Sequence, residues 1–141
     1  MFIGTYSHSV DDKGRLIIPA RFRASLGKGL HITTGIDNCL VIYNDADWEK
    51  LAGEINELPM TKRSARYLKR HFIGNSEEID VDKQGRIVIP ENLRTLAGID
   101  KEAVLIGIGE QIEVWDRDAW LVASDSVSTS DIEAGLEELN I

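Results

Sequence analysis

The chain has 141 residues, of which 43% are hydrophobic and 28% charged, and it carries a net charge of −8 and a single cysteine. This length supports one or two small domains with a buried core, whereas one cysteine excludes an internal disulfide or a cysteine-rich metal site. No stretch reaches the roughly 18 consecutive apolar residues of a membrane span, and the first residues lack the pattern of a secretory signal, so we expect a cytoplasmic protein with no membrane partner.

The negative charge is concentrated at the C-terminal end. Residues 110–141 hold nine acids and one base, Arg117, which accounts for the whole net charge of −8. The first 109 residues hold 15 acids and 15 bases and are neutral. An acidic chain normally argues against a nucleic-acid partner, but this distribution leaves room for a basic patch on the remainder.

One unit occurs twice, at an offset of 71 residues. Residues 10–27 read VDDKGRLIIPARFRASLG and residues 81–98 read VDKQGRIVIPENLRTLAG, with eight of 18 positions identical. With one added residue the match continues to Trp48 and Trp120, which we expect to be core or interface anchors. Repetition at a fixed period indicates two copies of one structural unit. We assign residues 5–47 and 76–119 to the repeats, 48–75 to connecting helices, and 120–141 to the start of a helix followed by a mobile acidic tail.

Each repeat predicts the same elements. The pattern Asp-x-x-Gly-Arg is typical of a turn. The Asp side chain can hydrogen-bond to the backbone two residues further along the chain, and Gly readily adopts a positive φ. A short β-rich run ends in proline, and a helix follows over Ala20–Leu26 or Glu91–Ala97, closed by Gly27 or Gly98. Further strands are predicted near residues 30–34, 40–43, 103–108 and 112–115, and further helices begin near residues 45 and 116–118. Because such a unit cannot build a core alone, we expect the copies to complete each other's sheet.

The segment between the repeats predicts two helices that meet near residues 58–61, with Thr61 as the N-cap of the second. Its bases form the densest cationic run in the chain and span all sides of the helix. We expect part of this run to pair with acids of a neighbouring subunit or of the tail, rather than to contact DNA. The tail predicts a short acidic helix over residues 132–139. The cationic run comprises Lys62, Arg63, Arg66, Lys69 and Arg70, with His71 beside them.

Three segments together resemble the MraZ family of bacterial transcriptional regulators: MFIGTYSHSVDDKGRLIIPARFR, TKRSARYLKRHF, and VDKQGRIVIPENLR followed by IEVWDRDAW. The resemblance runs from Met1 to about Trp120, and two tandem Asp-x-x-Gly-Arg motifs at this separation are highly specific. It implies an α+β fold, a pseudo-twofold β-barrel of two swapped-hairpin repeats of the SpoVT/AbrB type with added helices. It also implies a ring-shaped homo-oligomer, associated with the nucleoid, that binds direct repeats of double-stranded DNA in the promoter of the division and cell-wall gene cluster.

The DNA-contacting motif of that family falls on Asp11, Gly14 and Arg15, and again on Asp82, Gly85 and Arg86. An arginine at a hairpin tip presents a planar fork of donors that matches O6 and N7 of guanine. We therefore expect the arginines to read bases and the Asp and Gly residues to form the turns. For two of the phosphate-contact candidates, Arg23 and Arg94, a helix-surface charge or an intramolecular salt bridge is the favoured alternative. The candidates for phosphate contact are Lys13, Arg21, Arg23, Lys83 and Arg94.

Other chemistries are weakly supported. Residues 80–85 with Glu91 nearly fit a calcium loop, but Gln84 replaces an Asp or Asn, and the first repeat has Lys13 and Ala20 at the equivalent positions. The three histidines lie in no metal-ligand spacing, and no catalytic constellation stands out. We expect no enzyme activity, cofactor, metal or small-molecule substrate. The alternatives to a DNA-binding regulator are an oligomeric protein-binding scaffold and an antitoxin-like module that partners a toxin.

Overall fold

The computed structural model describes residues 1–140, in which the two repeats fold into the same series of elements. The first repeat contains β1 (Phe2–Ser9), β2 (Arg15–Ile17), α1 (Ala20–Leu26), β3 (Gly29–Thr34), β4 (Leu40–Tyr43) and α2 (Asp45–Asn56). The second contains β5 (Glu77–Asp80), β6 (Arg86–Val88), α4 (Glu91–Ala97), β7 (Glu102–Gly109), β8 (Ile112–Asp116) and α5 (Arg117–Asp125). The helices predicted over residues 20–26 and 91–97 are confirmed.

Two further helices lie outside the repeated pattern. α3 (Arg63–Leu68) follows α2 and continues into a π-helical turn over Lys69–Ile73. α6 (Thr129–Glu137) begins at a capping box between Ser128 and Asp131, and all of its residues are exposed. Ile141, the last residue of the predicted tail, lies outside the described residues. None of the helices within residues 1–140 combines the length and apolar character needed to cross a membrane.

The strands of each repeat pair with strands of the other. A six-stranded antiparallel sheet has the order β1-β7-β8-β4-β3-β5, so β1 pairs with β7 and β5 pairs with β3. β2 and β6 form a separate two-stranded ribbon, the β2–β6 ribbon. The prediction that the copies complete each other's sheet is confirmed. β1 and β5 are the edges of the larger sheet, and its closure into a barrel stays a prediction.

One hydrophobic core joins the ribbon, the short helices and the six-stranded sheet. Leu16 and Ile87 lie beneath the ribbon, Phe22 and Leu93 project from α1 and α4, and all four side chains are buried. Each such side chain contributes about 1.5–3 kcal/mol relative to an exposed position. The sheet adds eight more buried aliphatic side chains to this cluster: Leu30, Ile32, Leu40, Ile42, Ala103, Leu105, Ile112 and Val114.

Two details of the sequence-based prediction differ from the structure. The N-cap of α3 is Lys62, whose side chain makes no capping bond, so the assignment of Thr61 was wrong. The Lys62 N–H donates to the Pro59 carbonyl at 3.1 Å, which holds Thr61 inside a turn rather than at a helix start. The strands β1 and β5 were not predicted. The sequence of β5, EEID, is mostly exposed and lacks alternation of apolar and polar residues.

Candidate nucleic-acid interface

The first Asp-x-x-Gly-Arg turn is held together by the carboxylate of Asp11. Its Oδ1 accepts the backbone N–H of Lys13 at 3.0 Å and that of Arg15 at 2.9 Å. Its Oδ2 accepts the Nε–H of the Arg15 side chain at 2.5 Å. The backbone hydrogen bond from Arg15 is the main cause that lowers the pKa of Asp11 below its usual value. One carboxylate therefore fixes both the turn and the direction of the arginine.

The second turn repeats this arrangement atom for atom. Asp82 Oδ1 accepts the backbone N–H of Gln84 at 2.8 Å and that of Arg86 at 2.9 Å, and Oδ2 accepts Arg86 Nε–H at 3.0 Å. The backbone hydrogen bond from Arg86 is again the main cause of a lowered pKa of Asp82. In both repeats the hydrogen bond to the carboxylate uses Nε, so the two terminal nitrogens of each guanidinium remain available to a ligand.

Reciprocal hydrogen bonds join the two turns to the opposite repeat. The Ile18 N–H donates to the Gly85 carbonyl at 2.8 Å, and the Ile89 N–H donates to the Gly14 carbonyl at 2.9 Å. Gly14 and Gly85 have φ values of +81° and +79°, in the region that side-chain-bearing residues rarely adopt. Arg15 and Arg86 are therefore mounted on one hydrogen-bonded unit to which both repeats contribute.

Arg23 and Arg94 lie behind these turns rather than on the helix surface. Each packs its guanidinium against the turn glycine of the opposite repeat, Arg94 beside Gly14 and Arg23 beside Gly85. Arg94 Nε also donates to the Ile89 carbonyl at 3.1 Å. Neither arginine forms an ion pair within the described part of the chain, which corrects the expectation of an intramolecular salt bridge. Their position indicates that they support the turns.

The remaining phosphate-contact candidates are exposed around the ribbon. Lys13 and Lys83 lie at the tips of the two turns, and Arg21 lies in the first turn of α1. None of the three pairs with an acid among residues 1–140. The repeats differ at the tips, since Gln84 is the counterpart of Lys13. Asp12 is likewise the counterpart of Lys83, so the segment Asp11–Arg15 has a net charge of zero and the segment Asp82–Arg86 a net charge of +1.

The outer face of the β2–β6 ribbon carries two residues that the sequence-based prediction missed. Arg15 lies opposite Val88, and Ile17 lies opposite Arg86. Alternation along the strands turns Leu16 and Ile87 inward and these four residues outward. The two arginines and two aliphatic side chains thus share one surface. The period-two alternation expected for the strands RLI and RIV after each turn could have indicated that Ile17 and Val88 face outward.

The cationic run of residues 62–71 forms no ion pair within the described chain. Arg66 and Lys69 instead donate to the backbone carbonyls of Met60 and Asn56, at 2.9 and 3.1 Å. Arg63 and Arg70 are exposed. No acid of α6 joins an ion pair within residues 1–140 either, so pairing of this run with a neighbouring subunit stays a prediction.

His31, Asp45 and Glu78 converge at the start of α2, although they are far apart in sequence. His31 Nε2 lies 2.7 Å from Asp45 Oδ1, and one ligand atom of each of the three residues lies within 4.8 Å of the others. In the second repeat, Glu102 at the start of β7 and Arg117 at the start of α5 form an ion pair at 2.7 Å. Both repeats therefore tie the helix after their last strand to the sheet through polar side chains, but from different sheet positions, since the strand pairing makes Gly29 the counterpart of Glu102.

The sequence matches the family model described as "MraZ protein, putative antitoxin-like" twice, over residues 1–71 and 72–139, once for each repeat. The protein named transcriptional regulator MraZ of Thermoanaerobacter pseudethanolicus is 43% identical over 143 residues, which covers the full length of both chains. The protein of the same name from Alkaliphilus metalliredigens is 44% identical over the same full coverage. Its namesake from Acetivibrio thermocellus is 47% identical over 120 residues, covering 85% of this chain and 84% of the relative. The chain therefore belongs to the MraZ family.

Proposed function

We propose that this chain is a sequence-specific DNA-binding transcription regulator that reads base edges with Arg15 and Arg86. The observation that carries the proposal is that both arginines are held by the same two-point contact to an aspartate, on a single ribbon face. The name of its relatives, transcriptional regulator MraZ, supports the regulatory role. Regulation of this kind needs no catalytic group and takes place in the cytoplasm, at the nucleoid.

The major groove of B-DNA admits a two-stranded β-ribbon, which supports a groove-reading role for the β2–β6 ribbon. Each guanidinium keeps both terminal nitrogens available, and these match the O6 and N7 acceptors of guanine. The aspartates act as positioning residues, since they hold Nε and the turn backbone. Lys13, Arg21 and Lys83 surround the ribbon and contact phosphates, which adds affinity without specificity.

A single chain does not supply enough contacts for a specific site. Each bidentate arginine–guanine pair gives about 1–3 kcal/mol of discrimination, whereas specific sites are favoured over non-specific DNA by about 4–10 kcal/mol. A homo-oligomer that places several ribbons on successive direct repeats supplies the missing discrimination energy, because each bound ribbon raises the effective concentration of the next one at its repeat. We propose a ring of subunits on the promoter repeats of the division and cell-wall gene cluster, as the family resemblance implies.

Surface composition supports the oligomer. α6 exposes the apolar side chains of Ile132 and Leu136 on one side of an acidic helix, and the exposed Leu139 follows in the turn after it. The exposed surface near α3 combines the side chains of Ile36 and Tyr67 with the bases of the cationic run. The two surfaces are complementary in charge and both apolar in part, so we propose that they meet between neighbouring copies. The shared core beneath ribbon and sheet supports closure of the two into one barrel.

Binding to promoter DNA tests the proposal. The probe is the region upstream of the protein's own coding sequence, compared with unrelated DNA of equal length at two salt concentrations. The native protein is compared with an Arg15→Ala/Arg86→Ala variant of unchanged mass in solution and unchanged unfolding midpoint. We expect the native protein to prefer the promoter and the variant to bind both DNAs weakly and equally. If both proteins bind alike, the contact belongs elsewhere, and if neither binds at low salt, the protein-binding scaffold replaces this function.

A further inference from the structure

Two exposed aliphatic side chains lie between the reading arginines. Ile17 is 42% exposed and Val88 is 52% exposed, on the outer face of the β2–β6 ribbon. They occupy the same position in the two repeats, at the internal offset of 71 residues. Both repeats thus place an aliphatic, β-branched residue at a solvent-facing position of a strand that is only three residues long.

The register brings each aliphatic side chain next to an arginine. Val88 lies directly opposite Arg15, and Ile17 lies directly opposite Arg86. Side chains directly opposite one another in an antiparallel pair have Cβ atoms about 4.5–5.5 Å apart. When one of these arginines contacts a base, the aliphatic side chain opposite it is therefore within reach of the adjacent base in the stack. The same mixed pair occurs twice, related by the pseudo-twofold axis.

The major groove offers one apolar partner to such a side chain. Among the four bases only thymine presents a methyl group on that edge, at C5. We propose that Ile17 and Val88 contact thymine methyl groups beside the guanines that Arg15 and Arg86 read. This inference rests on the proposed function, and it adds thymine to the base classes that the ribbon recognises.

The expected size of the effect follows from the area that is removed from water. Burial of one methyl-sized group contributes about 0.8 kcal/mol, which corresponds to about a fourfold change in affinity. Each ribbon carries two such side chains, and an oligomer carries several ribbons. Removal of every thymine methyl from a site with several repeats therefore weakens binding by about tenfold or more.

The test compares promoter fragments that differ only in the thymine methyl group. The upstream region is amplified with thymidine triphosphate or with deoxyuridine triphosphate, and the affinity ratio of the two fragments is measured. The native protein is compared with an Ile17→Ser/Val88→Ser variant. The matched control is Ile3→Ser/Ile108→Ser, because Ile3 and Ile108 are also cross-strand partners and are 51% and 49% exposed.

We expect the native protein and the control to bind the thymine fragment more tightly than the uracil fragment, by about tenfold or more. The Ile17→Ser/Val88→Ser variant should bind the two fragments equally. A native ratio near one overturns the inference, and so does a ratio that survives in this variant or disappears in the control. If the variant does not fold, the native protein alone decides the question. Single thymine-to-uracil changes are then made beside each guanine that the bound protein protects from methylation by dimethyl sulfate.

The inference and the proposed function fail in different ways. If Arg15→Ala/Arg86→Ala abolishes promoter preference while the thymine-to-uracil ratio of the native protein is one, the function stands and the methyl contact is wrong. If the native protein shows no preference for the promoter over unrelated DNA, both are wrong.

Discussion

Arg94, in the second repeat, packs its guanidinium against Gly14, in the turn of the first repeat. A Cβ atom at Gly14 would lie 2.8 Å from Arg94 Nε and 2.9 Å from the Ile89 carbonyl oxygen. The equivalent contact joins Arg23 to Gly85. The glycine of each motif is therefore required twice, once for its positive φ and once for the arginine that closes over it.

Replacement of Gly14 by alanine should destabilise the fold by more than the backbone conformation alone costs. An alanine at positive φ costs about 1–2 kcal/mol, and displacement of Arg94 adds to this. The matched control is Gly98→Ala, since Gly98 has φ +63° but no atom within 4 Å of its would-be Cβ. Urea unfolding should show a larger loss of unfolding free energy for Gly14→Ala. Equal losses would show that the contact with Arg94 contributes nothing.

Replacement of both Arg15 and Arg86 by lysine should separate the contribution of positive charge to DNA binding from that of the planar guanidinium geometry. Lysine keeps the positive charge but loses the planar fork that matches guanine. The Arg15→Lys/Arg86→Lys variant should therefore bind unrelated DNA with nearly native affinity and salt dependence, and lose most of its preference for the promoter. Affinities for both DNAs at two salt concentrations measure this. A lysine variant with native preference would exclude bidentate contact to guanine.

The turn aspartates predict how stability responds to acid. Backbone hydrogen bonds lower the pKa of Asp11 and Asp82 in the folded protein, below the ordinary value of 3.8. Their stabilising contribution is present above that ordinary value and is lost as pH falls through the lowered pKa values. An Asp11→Asn/Asp82→Asn variant should therefore lose less stability than the native protein between pH 6 and pH 3.

Urea midpoints at the two pH values measure that difference. Asp12→Asn serves as the control, because the hydrogen bonds of the turn do not use the exposed Asp12 side chain. This control should follow the native protein. The prediction fails if the double variant loses as much stability in acid as the native protein does.

Charge reversal tests the contact between α6 and the cationic run. Arg63→Glu/Arg70→Glu places acids where an acidic helix should dock, and Glu133→Lys/Glu137→Lys places bases on that helix. Each variant alone should have a lower mass in solution than the native protein, because like charges meet at the interface. An equimolar mixture of the two variants should recover a larger mass, since one set of interfaces is again complementary.

Light scattering measures these masses. Glu49→Lys/Glu54→Lys on α2 is the control, because it reverses two exposed acids that belong to neither α6 nor the cationic run. The control should keep the native mass. Variants that each retain the native mass would place the interface elsewhere on the chain.

Local chemistry in the sequence was sufficient to predict the turns and the short helices. Asp and Gly at fixed spacing specify the turn at Asp11–Gly14, and proline followed by seven residues and glycine specifies α1 and α4. These residues determine the conformation of only a few neighbouring residues, so the turns and helices can be predicted without knowledge of the tertiary structure. For the same reason they did not reveal β5, whose exposed EEID sequence becomes a strand only because β3 offers its edge.

The pairing of the repeats could not be predicted in detail. Alternation shows that Ile17 points away from the core if Leu16 points toward it, but it does not name the opposing strand. Only the antiparallel register of β2 and β6 places Ile17 opposite Arg86. The packing of Arg23 and Arg94 against the opposite repeat likewise depends on contacts between distant segments, and so does the proximity of His31 to Glu78.

Protection of guanine N7 from methylation by dimethyl sulfate, on promoter DNA saturated with protein, tests base contact by Arg15 and Arg86 most directly. The native protein should protect guanines at a regular spacing set by the direct repeats. The Arg15→Ala/Arg86→Ala variant, at concentrations that occupy the same DNA, should leave those guanines reactive. Bound native protein that protects no guanine, or a variant that protects the same guanines, would contradict base reading by these arginines.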